Sequence, residues 1–159
     1  MIYFLRFLHV VTFPNTSYLR NLYEHFKTPF DTPIEEIYDG VLDGKILGTG
    51  VSGTVRRVVH RSTNIHYAVK CLDLTLINTP ASLLQLRNEI FIMCQLDHPN
   101  VMRIEEVYES NSALYIVQEL CVGGDLFDRL DQQPHYHYTE GQCASLVKQV
   151  TFLRTELCL

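Results

Sequence analysis

Three glycines at positions 48, 50 and 53, then Val55, then Lys70 closing the run Tyr67-Ala68-Val69, constrain this chain more than any other feature. Glycine lacks a Cβ, so backbone amides can lie against phosphate oxygens without a clash. A lysine on a neighbouring strand can meet the same oxygens as a point charge. Gly-x-Gly-x-x-Gly alone is a weak signal, and other readings compete. A dinucleotide-binding loop needs a helix to open within the motif. Here Thr54-Val55-Arg56-Arg57-Val58-Val59 follows, a β-branched stretch that opens no helix. No Gly-Lys-Ser/Thr follows the glycines, which removes the P-loop reading. The bland alternative is a glycine-rich hairpin that holds nothing.

The remaining punctuation orders the elements. His60-Arg61-Ser62-Thr63-Asn64 is a polar turn cluster, and Ile65 to Lys70 reads as a second strand after the glycines. Thr79-Pro80-Ala81-Ser82 is a helix start, with proline tolerated in the first turn. Leu83 to Leu96 are good helix formers, with Leu86, Ile90 and Met93 on one apolar stripe that Leu83 and Leu96 extend. Glu89 falls beside that stripe. Turned inward it needs a cation, and Lys70 is the candidate; turned outward it is a solvated glutamate beside Arg87. Asp97-His98-Pro99-Asn100 ends the helix, because the residue before proline avoids the α region. Val101 to Glu109 and Ala113 to Leu120 then read as an antiparallel pair.

Taken in order, the glycine loop, Lys70, Glu89, the His98-Pro99-Asn100 turn, the strand Leu114 to Leu120 and the run Cys121-Val122-Gly123-Gly124-Asp125-Leu126-Phe127 resemble the N-terminal lobe and hinge of a protein kinase. The wording is most similar to the calcium/calmodulin-dependent and calcium-dependent Ser/Thr kinases, over Ile37 to Val150. The resemblance implies an α+β fold: a five-stranded antiparallel sheet with one prominent helix, helix C of the family, followed by the first helices of a truncated C-terminal lobe. It also implies ATP and Mg2+ as cofactors. Gly48, Gly50 and Gly53, with Thr49, Val51, Ser52 and Thr54 between them, would shape the lid over the phosphates. Leu47 and Val55 would cover the adenine from above with Ala68. Lys70 would hold the α- and β-phosphates and be held by Glu89, the two catalytic assignments. Gln118 would stand at the back of the pocket, with the Glu119 carbonyl and Cys121 amide on the adenine edge and Asp125 at a ribose hydroxyl. One departure is visible: Ser52 occupies the loop tip, where the family places an aromatic that shields the phosphates.

Phosphoryl transfer also needs an aspartate for the substrate hydroxyl and ligands for magnesium, which the family supplies in His-Arg-Asp and Asp-Phe-Gly segments. The sequence contains neither, nor an Ala-Pro-Glu; His60-Arg61-Ser62 lacks the aspartate and lies between strands. Tyr138 to Val150 reads like the long helix opening the C-terminal lobe, and Thr151 to Leu159 has no counterpart in the resemblance. The expected organisation is an irregular extension over 1–36, the N-lobe over 37–120, the hinge and start of the C-lobe over 121–150, and a divergent tail over 151–159. The resulting expectation is an ATP-binding Ser/Thr kinase domain cut before its catalytic loop, inactive as this chain and without protein ligands for Mg2+. A non-catalytic module engaging a regulator or a full-length kinase, and an unstable fragment, are the alternatives. Leu126, Leu130, Leu146 and Val150 are expected to stand partly exposed.

Composition limits partners and location. A net charge of −5 argues against nucleic acid. Protein substrates come from the resemblance alone. Cys71, Cys94, Cys121, Cys143 and Cys158 are odd in number and contain no Cys-x-x-Cys, so neither zinc nor a disulfide framework is expected, and a reducing, cytoplasmic setting fits. His135 and His137 read as loop residues, not a metal pair, and no EF-hand spacing occurs. Met1 to Phe13 is apolar but broken by Arg6 and His9, too short to span a bilayer and poorly built as a signal peptide, so no membrane partner is expected. The sequon Asn15-Thr16-Ser17 is discounted with it, and Pro14, Pro29 and Pro33 mark an irregular linker.

Overall fold

The structure, a computed structural model, describes residues 26–27, 32–50 and 53–156. The expectations for the apolar N-terminal run, the sequon, Val51, Ser52 and Cys158 lie outside these residues. The described chain falls into two compact units: residues up to 97 together with 103–120, and residues 98–102 together with those from 121 onward.

The first unit is a sheet carrying one long helix. Its elements are β1 (Phe26–Lys27), α1 (Ile34–Ile37), β2 (Tyr38–Asp39), β3 (Ile46–Gly50), β4 (Gly53–His60), β5 (His66–Asp73), a 3-10 turn (Leu74–Leu76), α2 (Pro80–Cys94), β6 (Ile104–Glu109) and β7 (Ala113–Glu119). The five expected antiparallel strands are present, ordered β3-β4-β5-β7-β6. Two two-residue strands flank them: β1 runs parallel on β6 and β2 antiparallel on β4. Strands of two residues and a helix of four are too short to show a period of two or of about 3.6, which is why β1, β2 and α1 do not stand out in the sequence.

Each face of the sheet has its own core. Successive strand residues point to opposite faces, so Leu72, Leu114 and Ile116 on one side separate from Val69 and Val117 on the other. The first core joins Leu72, Ile104, Val107, Leu114 and Ile116 to Ile90 and Phe91 of α2, with Leu86, Met93 and Cys94 packed against them. Helix α2 starts where its sequence signals predict: the Thr79 side chain accepts from the Ser82 amide at 3.1 Å, and Pro80 opens the helix. Phe91 and Cys94 join the buried arc, whereas Leu83 and Leu96 are not in the core cluster. The second core gathers Ile34, Tyr38, Val41, Val58, Val69, Tyr108 and Val117. There the Tyr38 and Tyr108 hydroxyls both donate to Glu106 Oε2, at 2.9 and 2.6 Å. The segment ahead of the glycines is thereby fastened across the sheet.

The second unit contains α3 (Leu126–Leu130), a 3-10 turn (Pro134–Tyr136) and α4 (Glu140–Glu156). Its anchors are polar: the Tyr138 hydroxyl donates to the Leu126 carbonyl at 2.7 Å, and the Asn100 amide to the Gln149 carbonyl at 3.4 Å. No residue of this unit whose exposure is described is buried. Leu126 is 50% and Val150 67% exposed, as expected, while Leu130 and Leu146 are half-buried. His135 and His137 stack in the loop between the helices. Among the described residues, no helix is long and apolar enough to cross a membrane, and Cys71, Cys94 and Cys143 are free.

Candidate functional site

Register brings the central residues together. Gly48 pairs with Val55, Val55 with Lys70 and Lys70 with Ile116, one cross-strand row over four strands. The adjacent row sets Arg57, Ala68 and Gln118 side by side. Side chains directly opposite in antiparallel strands share a face, so Val55, Ala68, Lys70 and Gln118 lie on the face that α2 covers further along. Ala68 and Gln118 are each 3% exposed.

Lys70 is half-buried. Burial pushes its ammonium below the ordinary value, because the charged form loses water. No carboxylate pairs with it among the described residues. A partly buried cation without a partner loses part of its hydration uncompensated.

The glycines divide their work. Gly53 has φ +126°, and a Cβ there would lie 1.9 Å from the Cys71 carbonyl oxygen, so the hairpin closes only with glycine. Around Gly48 nothing lies within 4 Å of where a Cβ would be, so its bareness is not demanded by packing. Thr49 pairs with Thr54 and Gly50 with Gly53 at the end of the hairpin. Leu47 is the extra residue of a bulge between Ile46 and Gly48 and is 43% exposed.

Glu89 is not joined to Lys70. It accepts a hydrogen bond from Gln85 Nε2 at 3.2 Å, one turn back on its own helix. The cause is the rotation of α2 about its axis. Residues advance about 100° each along a helix, and with Ile90 wholly buried and Phe91 on one flank 3% exposed, Glu89 is carried to the opposite flank. Arg87 fixes that rotation: its Nε donates to Glu109 Oε2 at 3.1 Å, and its Nη2 bonds Glu109 Oε1, on β6. Arg87 therefore serves Glu109 and not Glu89, a long-range pairing that no helical spacing reveals.

Glu119 ends β7 opposite Tyr67 and is exposed, its amide donating to the Arg103 carbonyl at 3.0 Å. Cys121 and Asp125 belong to the second unit. Asp125 is the N-cap of α3: its Oδ1 accepts from the Phe127 and Asp128 amides, both at 2.8 Å, while Asp128 Oδ2 accepts from the Asp125 amide at 3.0 Å. The sequence signal of this capping box is Asp125-x-x-Asp128. Among the described residues, no three His, Cys, Asp or Glu side chains converge as a metal site.

Residues 42–152 match the protein kinase domain family. The chain is 38% identical over 117 residues to Calcium-dependent protein kinase 5 of Plasmodium berghei, covering 74% of this chain and 20% of that protein. It is 35% identical over 130 residues to Calcium-dependent protein kinase 24 of Arabidopsis thaliana, covering 79% and 22%. Calcium-dependent protein kinase 7 of Oryza sativa subsp. japonica is 39% identical over 106 residues, covering 66% and 19%. The chain belongs to the protein kinase family. The aligned region spans about a fifth of the length of these relatives.

Proposed function

We propose that this chain forms the ATP-holding part of a serine/threonine protein kinase. The observation that carries the reading is the row Gly48–Val55–Lys70, in which a half-buried, unpaired lysine lies two strands from a glycine whose Cβ position meets nothing within 4 Å. Lys70 holds the α- and β-phosphates, and the backbone of the glycine hairpin lies against the same oxygens. Val55, Ala68 and Leu47 roof the base, and the buried Gln118 stands at the back of the pocket. The assignment rests on Lys70 without Glu89, which bonds Gln85 instead. Kinases bring magnesium with the nucleotide; the reading gives that ion no protein ligands among the described residues. The sequence has no His-Arg-Asp or Asp-Phe-Gly segment, so the proposal confines these residues to binding and orienting ATP. A cytoplasmic setting goes with the reading.

A second reading, a non-catalytic module that engages a regulator or a full-length kinase, draws on the exposed Leu126, Phe127, Val147 and Val150. Calorimetric titration separates the two. Mg·ATP is expected to bind the wild type, Gly48→Val to remove binding by filling the open position while the fold persists, and Lys70→Met to remove affinity for inorganic tripolyphosphate as well. Wild-type protein that folds but binds neither probe overturns the nucleotide reading and leaves the module.

A further inference from the structure

Just ahead of the glycine strand the chain turns sharply. Gly40 has φ +87°, and the Gly44 amide donates to the Gly40 carbonyl at 2.9 Å. A Cβ on Gly44 would lie 2.3 Å from two backbone oxygens, those of Arg57 and Gly40, so the turn sits directly against β4. Val41, 5% exposed, roots the same turn in the second core. The Arg57 amide then donates to the Lys45 carbonyl at 2.9 Å, which begins the ladder.

Arg56 completes the arrangement. Its backbone lies opposite Ile46, and its Nη1 donates to the Gly44 carbonyl at 3.1 Å. The guanidinium forms no ion pair among the described residues, so its bond serves geometry and not charge balance. One step along, the register shifts: Ile46 faces Arg56 but Gly48 faces Val55, leaving Leu47 as the bulged residue. A bulge turns the local side chain by an amount that depends on how its two ends are held. One end here is the Gly48–Val55 pair, and the other is the turn gripped by Arg56.

We propose that the Gly40–Gly44 turn, clipped by Arg56, is a positioning device for the glycine strand: it holds the bulge that aims Leu47 and so sets nucleotide affinity. The affinity clause rests on the function proposed above; the anchoring of the strand does not. Arg56 acts through Leu47 and touches no ligand itself.

The test combines amide hydrogen exchange with titration of a fluorescent N-methylanthraniloyl ADP in magnesium buffer, on wild type, Arg56→Met, Arg56→Lys and Gly44→Ala. Arg56→Met is expected to speed exchange at Leu47, Gly48 and Thr49 about tenfold and weaken the nucleotide about tenfold, the scale of one charge-assisted hydrogen bond. Protection in β5, β6 and β7 should stay unchanged. Arg56→Lys, which keeps a donor, should recover part of both effects, and Gly44→Ala should exceed Arg56→Met. Unchanged exchange in β3, or acceleration spread evenly over the sheet, overturns the proposal. Wild type that binds no nucleotide overturns the affinity clause together with the functional reading, and exchange in β3 still decides the anchoring.

Discussion

The two units solve the problem of holding a chain in place in opposite ways. The sheet unit buries apolar side chains on both faces, with Ile90, Leu114, Val107 and Val117 each 0% exposed. The helical unit buries none among the residues whose exposure is described, and relies on caps and single hydrogen bonds such as Tyr138 to Leu126. Full burial of one aliphatic side chain is worth about 1.5–3 kcal/mol, against about 1 kcal/mol net for a typical hydrogen bond. The difference teaches where precision can be built. A half-buried, unpaired lysine needs a scaffold whose stability comes from elsewhere, and Lys70 stands on the strand shared by both cores.

The largest effect should come from cutting into that scaffold. Ile90→Ala removes a wholly buried side chain and is expected to cost about 2–5 kcal/mol in denaturant unfolding. Phe127→Ala, at a residue 75% exposed, should stay within about 0.5 kcal/mol. Equal costs would erase the contrast between the units. A similar division is expected within the glycine hairpin. Gly53→Ala meets the Cys71 carbonyl and keeps a positive φ, and should cost about 3 kcal/mol. Gly48→Ala meets nothing and should leave thermal stability within about 0.5 kcal/mol. A destabilising Gly48→Ala would mean that this glycine is there for the fold and not for a ligand.

Alkaline titration sharpens the comparison at the second core. Burial, then the Glu106 hydrogen bond and charge, raise the Tyr38 and Tyr108 hydroxyls above their ordinary value of 10.0. The stability they provide is complete below pH 10 and is lost as pH rises above it, because the unfolded tyrosines ionise first. Lys70, lowered by burial from 10.5, has the opposite slope: the unfolded chain holds its proton longer, so stability rises with pH just below that value. Melting temperature is therefore expected to fall above pH 10 in wild type, to fall less in a Tyr38→Phe, Tyr108→Phe double variant, and to lose its upward component in Lys70→Met. The smallest effect is local. Asp125→Ala removes the cap of α3 and should cost about 1 kcal/mol, read as faster exchange at the Phe127 and Asp128 amides with the sheet unmoved.

Much of this was legible in the residues. The glycine spacing, the β-branched run after it and the strand-like run Ile65 to Lys70 predicted β3, β4 and β5. Thr79-Pro80 marked the start of α2. What stayed hidden depends on registers and rotations. The stripe of Leu86, Ile90 and Met93 left the helix free to turn, and burial of Phe91 with the Arg87–Glu109 pair decided against Glu89 meeting Lys70. The Arg56 clip joins residues 12 apart through a carbonyl, which no motif announces. Strands β1 and β2 are too short for any period.

Whether the unpaired lysine of the sheet unit is a nucleotide site is decided most directly by a thermal melt with and without Mg·ATP, on wild type and Lys70→Ala. Ligand that binds only the folded state adds about 2.7 kcal/mol at a hundredfold excess over Kd. The account predicts one cooperative transition that ATP moves upward in wild type and leaves in place in Lys70→Ala. A cooperative wild-type melt that ATP does not move, or a shift that Lys70→Ala retains in full, would contradict it.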